Sequence, residues 1–98
     1  MTVSVHVRGE IEYGRLHEYL DAVEKYKEYR SRNGYVVPKV FLGLSGPMNT
    51  VLMVYRYDDS AAYEEEEAAT ARDKGYAEVA SQMPYLEGTI YYELFKEM

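Results

Sequence analysis

From Thr2 to Arg8 the chain alternates strictly, with Val3, Val5 and Val7 on one side and Ser4, His6 and Arg8 on the other. A period of two is the mark of a strand with one apolar face. The alternation continues through Ile11 and Tyr13 to Gly14, and Gly9 offers a place for a bend or bulge. Leu16, Tyr19, Leu20, Val23 and Tyr26 then recur at spacings of three and four, opposite Glu18, Asp21, Glu24, Lys27 and Glu28. That spacing predicts an amphipathic helix from Gly14 or Arg15 to Arg32. Arg30 and Arg32 fall in its last turn, where basic charge suits the carbonyl end, and Asn33-Gly34 closes it.

Two runs rich in Val, Leu, Phe, Tyr and Met follow, Tyr35 to Ser45 and Thr50 to Tyr57. Gly46, Pro47 and Asn49 between them are turn formers, which predicts a hairpin. Pro38 removes a donor from the first of these strands and assigns it to a sheet edge. The second is apolar almost without a break from Val51 to Tyr55, so both of its faces need cover. Asp59 or Ser60 caps a second helix, with Glu64 to Glu67 in its first two turns as a solvated acidic face. Gly75 is read as its interruption, after which Tyr76, Val79, Ala80 and Met83 restore the helical spacing up to Pro84. A last strand runs from Thr89 to Phe95, with Ile90, Tyr92 and Leu94 on one side and Thr89, Tyr91 and Glu93 on the other.

Strand, helix, strand, strand, helix, strand predicts an α+β fold, a ferredoxin-like βαββαβ sandwich whose four-stranded antiparallel sheet carries both helices on one face. Right-handed crossovers put the first and third strands in the middle of that sheet. At 98 residues a single domain, 1–98, is expected. Two helices cover one face only, and the simplest cover for the other is a second copy, so a homodimer is expected.

Composition narrows the function classes. With 11 basic and 17 acidic residues the net charge is −6, and no basic run could follow a phosphate backbone, which argues against nucleic acid and anionic membranes as partners. No stretch approaches the roughly 20 apolar residues that cross a bilayer, and Arg8, Glu10 and Glu12 spoil a signal peptide. A cytoplasmic protein without membrane association is expected. There is no Cys, and the two His residues lack any HExxH-like spacing, so no metal site is expected. GLSGP lacks the Lys and following helix of a phosphate loop, no nucleophile elbow is present, and no cofactor is expected.

The candidate chemistry lies in two sets. His6 and Arg8 share the polar face of a predicted central strand, near Tyr91, Glu93 and Arg56 on neighbouring strands. As a catalytic pair, His6 would serve as general base and Arg8 would hold an oxyanion or carboxylate; the alternative is an ion-paired sheet face or dimer interface. The second set is aromatic, drawn from the 12 tyrosines. If Tyr55 and Tyr57 face the helices, they would line a flat cleft with Tyr19 and Tyr26 of the first helix and Tyr63, Tyr76 and Tyr85 of the second helical region, suited to an aromatic or hydrophobic small molecule; Arg56 and Tyr91 are further ligand-binding candidates. The alternative is a core in which Tyr replaces Leu and Phe. His17, flanked by Arg15 and Glu18, faces solvent.

The stretch GLSGPMNTVLMVYRYDDSAAYEEEEAA resembles the NIPSNAP family in its Gly-containing turn, its Asn-Thr-Val-like strand and its Tyr-Asp pair before a helix, here Gly46, Asn49, Thr50, Val51, Tyr57 and Asp58. Gly14, Leu16, Tyr19 and Leu20 are similar to that family's helix opening. The resemblance implies a dimeric α+β barrel in which two ferredoxin-like units pack sheet to sheet. It also places the chain near cofactor-independent monooxygenases, polyketide cyclases, haem-degrading enzymes and stress-response proteins. The Trp that many of those relatives carry is absent. Two functions follow as expectations: binding of a small aromatic or hydrophobic metabolite in a Tyr-lined cleft, or cofactor-independent oxygenation or cyclisation of an aromatic or polyketide-like substrate by general-base proton abstraction. Haem degradation is a weaker third, since it needs a strong iron ligand opening onto a flat pocket.

Overall fold

The computed structural model describes residues 1–44 and 48–98. The N-terminal alternation forms β1 (Val3–Glu10) and the helical spacing after it forms α1 (Leu16–Arg32). The hairpin strands are β2 (Lys39–Leu42) and β3 (Thr50–Tyr57), followed by α2 (Ser60–Ala71), α3 (Lys74–Ala80) and β4 (Tyr91–Lys96). The sheet order is β2-β3-β1-β4 and every pairing is antiparallel, so β1 and β3 are central as the crossover rule requires.

Register puts Val3 opposite Tyr57, Val5 opposite Tyr55 and Val7 opposite Met53. These six side chains share one face and form the core with Ile11, Val51 and the α1 residues Tyr19, Val23 and Tyr26. Burial of an aliphatic side chain such as Val5 or Met53 contributes about 1.5–3 kcal/mol, so this face anchors the layer of helices. Among the described residues no helix is long and apolar enough to cross a membrane.

Several expectations are corrected. The dimeric α+β barrel is not the architecture found: the sheet is open, with β2 and β4 as its edges. Four strands are half the roughly eight that close around a filled interior, so the chain's own strands cannot form a barrel. Gly46 and Pro47, expected in the hairpin turn, lie outside the described residues. Asn49 ties the hairpin to the end of β1: its Nδ2 donates to the Ile11 carbonyl at 2.9 Å, and its own carbonyl accepts from the Ile11 N–H at 2.8 Å.

The strand expected from Tyr35 shrinks to four residues because the segment before it bonds elsewhere. The Tyr35 N–H donates to the Arg30 carbonyl at 2.9 Å, the Val36 N–H donates to Glu66 Oε1 at 2.7 Å, and the Val36 carbonyl accepts from Arg30 Nε. Pro38 has no N–H to offer. The helix break comes before Gly75, where Asp73 caps α3 by accepting from the Tyr76 N–H at 3.1 Å. Gly75 lies inside α3, where a Cβ would stand 2.5 Å from the Tyr29 hydroxyl oxygen. Gly9 makes no bulge. It pairs with Val51, and the missing side chain gives room to the Tyr85 ring, which a Cβ would meet at 2.8 Å. The last strand starts at Tyr91, because the Thr89 hydroxyl accepts from the Glu10 N–H at 3.1 Å in place of a strand contact.

Candidate functional site

The apolar stripe of α1 does not stop at Tyr26. Four residues on, Arg30 occupies the next position of the same face and is only 2% exposed. A charge buried to this degree needs partners, and each part of the guanidinium has one. Nε donates to the Val36 carbonyl, Nη1 to the Tyr76 hydroxyl at 3.3 Å, and Nη2 to the Tyr57 hydroxyl at 3.4 Å and to Glu66 Oε2. Rings of Tyr26, Tyr35, Tyr55 and Tyr76 surround it at 4.9–5.7 Å from ring centre to guanidinium carbon.

Glu66 completes the charge balance from α2. Its Oε2 accepts from both Arg30 and the Tyr57 hydroxyl, and its Oε1 accepts from the Val36 N–H. Its side chain is 12% exposed, so the run Glu64 to Glu67 is not uniformly a solvated face. Burial alone works against the Arg30 charge, but the surrounding tyrosine oxygens and Glu66 outweigh it and hold the guanidinium protonated. Burial pushes the hydroxyls of Tyr19, Tyr26, Tyr55, Tyr57 and Tyr76 well above the ordinary phenol range, so at neutral pH each is a proton-bearing donor. At the same end of α1, Asp73 accepts from the hydroxyls of Tyr29 at 2.7 Å and Tyr35 at 2.8 Å. These two bonds hold its carboxyl below the usual range, and the bond to Asp73 pushes Tyr29 up to about 12.

Between sheet and helices lies a cavity of about 180 Å³. Its apolar wall includes Val5, Val7, Met53 and Met83, and its polar side is lined by Tyr26, Tyr55, Tyr57 and Tyr76 beside Arg30 and Glu66. The exposed lining residues Glu67, Ile90 and Tyr92 mark where it opens, past β4, which the helices leave largely uncovered. An engineered apolar cavity of about 150 Å³ takes up benzene, so the space suits one aromatic ring. Among the described residues no three His, Cys, Asp or Glu side chains gather as metal ligands would.

The sequence candidates divide between the two faces of the sheet. Tyr55 and Tyr57 line the cavity. Tyr19 is fully buried behind it and meets the lining residue Tyr85 hydroxyl to hydroxyl at 3.0 Å. His6, Arg8, Arg56 and Tyr91 stand on the opposite face, away from the cavity. There the His6 and Phe95 rings meet at 4.7 Å between centres, tilted by 59°, Arg56 pairs with Glu97 at 2.8 Å in solvent, and Arg8 lies opposite Leu52 and Tyr91. Sequence reasoning missed Arg30 and Glu66. Arg30 follows Tyr19, Val23 and Tyr26 at offsets of eleven, seven and four, so helical spacing marked it, whereas Glu66 shares its offsets from Ala62 and Tyr63 with the neighbouring carboxylates and no sequence signal singles it out.

A model of the NIPSNAP family matches residues 10–90. No curated protein matches the chain by sequence. Among solved structures, a NIPSNAP family protein from Agrobacterium tumefaciens superposes with a TM-score of 0.80 at 15% identity, over 100% of this chain and 94% of that one. An uncharacterised NIPSNAP domain protein from Burkholderia xenovorans gives 0.79 at 20% identity, over 100% and 95%. SnoaB, a cofactor-independent oxygenase from Streptomyces nogalater, gives 0.72 at 15% identity, over 98% and 92%. At these identities the likenesses speak for the fold, while the family match spans most of the chain: this protein belongs to the NIPSNAP family.

Proposed function

We propose that the protein binds a small, neutral, aromatic or hydrophobic metabolite in the cavity between its sheet and helices. The observation that carries this reading is the cavity itself, about 180 Å³ with an apolar wall and several tyrosines on its polar side. An acidic residue at the mouth, Glu67, and a net charge of −6 disfavour anions. The volume favours a single ring over the fused rings of a polyketide-like compound. Calorimetric titration with one-ring aromatics tests it. Saturable binding that disappears in Ala80→Phe, whose added ring fills the cavity from α3, supports the reading; a panel without one saturable ligand defeats it.

Cofactor-independent oxygenation or cyclisation is the second reading, favoured by the fold shared with SnoaB. In it His6 and Arg8 act on the uncovered sheet face, since neither lines the cavity. Oxygen uptake with an aromatic substrate, lost in His6→Ala, is the expected result, and uptake that survives this change removes His6 from the reaction. Pairing of two copies draws support from Phe41 and Phe95, 51% and 48% exposed on that same face. Sedimentation that finds only monomers across a wide concentration range rejects it.

A further inference from the structure

We infer that Tyr55 is the end of a one-way hydrogen-bond relay from Arg30, and that its hydroxyl grips a carbonyl or phenolic oxygen of the bound ring. This deepens the cavity reading and rests on it.

The direction of the relay follows from counting protons, because a tyrosine hydroxyl has one to give. The Tyr55 hydroxyl donates its proton to Met53 Sδ at 3.3 Å, and a thioether sulfur can only accept. Between Tyr26 and Tyr55, 2.6 Å apart, the arrangement that keeps the Met53 bond makes Tyr26 the donor. With that proton committed, Tyr76 must be the donor across the 2.9 Å between Tyr76 and Tyr26. Tyr76 in turn accepts from Arg30 Nη1, since a guanidinium only donates. The chain runs Arg30 to Tyr76 to Tyr26 to Tyr55, and every member lines the cavity.

Two consequences make Tyr55 a ligand donor. Each link polarises the next, by about 10–30% per bond, so the last hydroxyl is the strongest donor of the three. It is also the one with the poorest acceptor, because thioether sulfur is a weak hydrogen-bond partner. An oxygen on a bound ring would take this proton in preference to Met53. The ligand class is thus a one-ring compound with an uncharged acceptor oxygen, an aryl ketone, an aryl aldehyde or a phenol.

Acetophenone and ethylbenzene, alike in shape and differing in the carbonyl, provide the test. Acetophenone is expected to bind the native protein about tenfold more tightly than ethylbenzene, with its carbonyl stretch moved to lower frequency. Tyr55→Phe is expected to bring the two affinities together and to abolish the frequency shift. Tyr26→Phe cuts the relay while keeping the Tyr55 hydroxyl, and is expected to give an intermediate ratio and a smaller shift. Met53→Leu keeps the volume and removes the competing acceptor, so it is expected to raise the preference for acetophenone, and it serves the test should Tyr55→Phe not fold. Equal binding of both compounds to the native protein, a preference that survives Tyr55→Phe, or no gain in Met53→Leu overturns the relay and leaves the cavity reading standing. If neither compound binds while another one-ring aromatic does, the relay falls and the cavity reading stands; if no one-ring aromatic binds, both fall.

Discussion

The two faces of this sheet are built from alternate residues of the same strands and have come to opposite electrostatic solutions. On the covered face of β3, Tyr55 and Tyr57 are buried around a buried Arg30–Glu66 pair whose polar atoms meet protein partners. On the other face, one residue along, Arg56 meets Glu97 in solvent and His6 lies beside Phe95 with only partial burial. A buried ion pair is held in place by the penalty for breaking it, whereas an exposed one adds little. Charge on the covered face therefore fixes geometry, and charge on the uncovered face mainly keeps it wetted.

The largest test of that contrast is alkaline pH, which acts on all the buried hydroxyls together. Their protons are held more tightly in the folded protein than in the unfolded chain, where tyrosine titrates near about 10. This contribution is complete below about pH 10 and is lost as pH rises above it. Urea midpoints measured against pH should fall there, with tyrosinate absorbance appearing as the protein unfolds. A midpoint that stays level through that range would mean the hydroxyls are not sequestered.

Removing one charge separates the faces next. Arg30→Met leaves Glu66 buried without its cation and is expected to destabilise by about 3–5 kcal/mol, read from urea unfolding. Loss of less than about 1 kcal/mol would contradict the buried pair. Tyr26→Phe takes a partner from both Tyr55 and Tyr76 and is expected to cost about 1–3 kcal/mol, whereas Tyr91→Phe on the exposed side should stay within about 0.5 kcal/mol. Gly9→Ala drives a methyl into the Tyr85 ring and should cost about 1–2 kcal/mol, with weaker ligand binding if that ring shapes the cavity. At the bottom of the scale, Arg56→Ala should change the midpoint by at most about 1 kcal/mol, and less in high salt. A larger loss would place this face under a constraint that the open sheet does not explain.

Much of the fold was legible because period-two and period-3.6 patterns are local. Val3, Val5 and Val7 announce a strand face without reference to anything distant, and Leu16 to Tyr26 do the same for a helix. The barrel came from the resemblance, whereas the need to cover β3 asked only for a second copy, and the sheet found is open with β2 and β4 as its edges. Gly75 looked like a helix stop because its neighbour across the fold, the Tyr29 hydroxyl, is far away in sequence. The site was only half legible for a similar reason. Arg30 satisfied a local rule as basic charge at a helix end, and that rule hid its place on the apolar stripe. Glu66 was one of four adjacent carboxylates, and only the docking of α2 against Val36 and Tyr57 distinguishes it from its neighbours.

The crowding of tyrosines also has an optical side. With 12 Tyr, 2 Phe and no Trp, intrinsic emission beyond the phenylalanine range comes from tyrosine alone. Within the cluster, rings at 5.4–5.7 Å can pass excitation from one to the next, and the Tyr57 hydroxyl bound to the Glu66 carboxylate is a quenched terminus for it. The folded protein should be dim and should brighten as the rings separate. Its own fluorescence thus reports whether the covered face is assembled, without any added label.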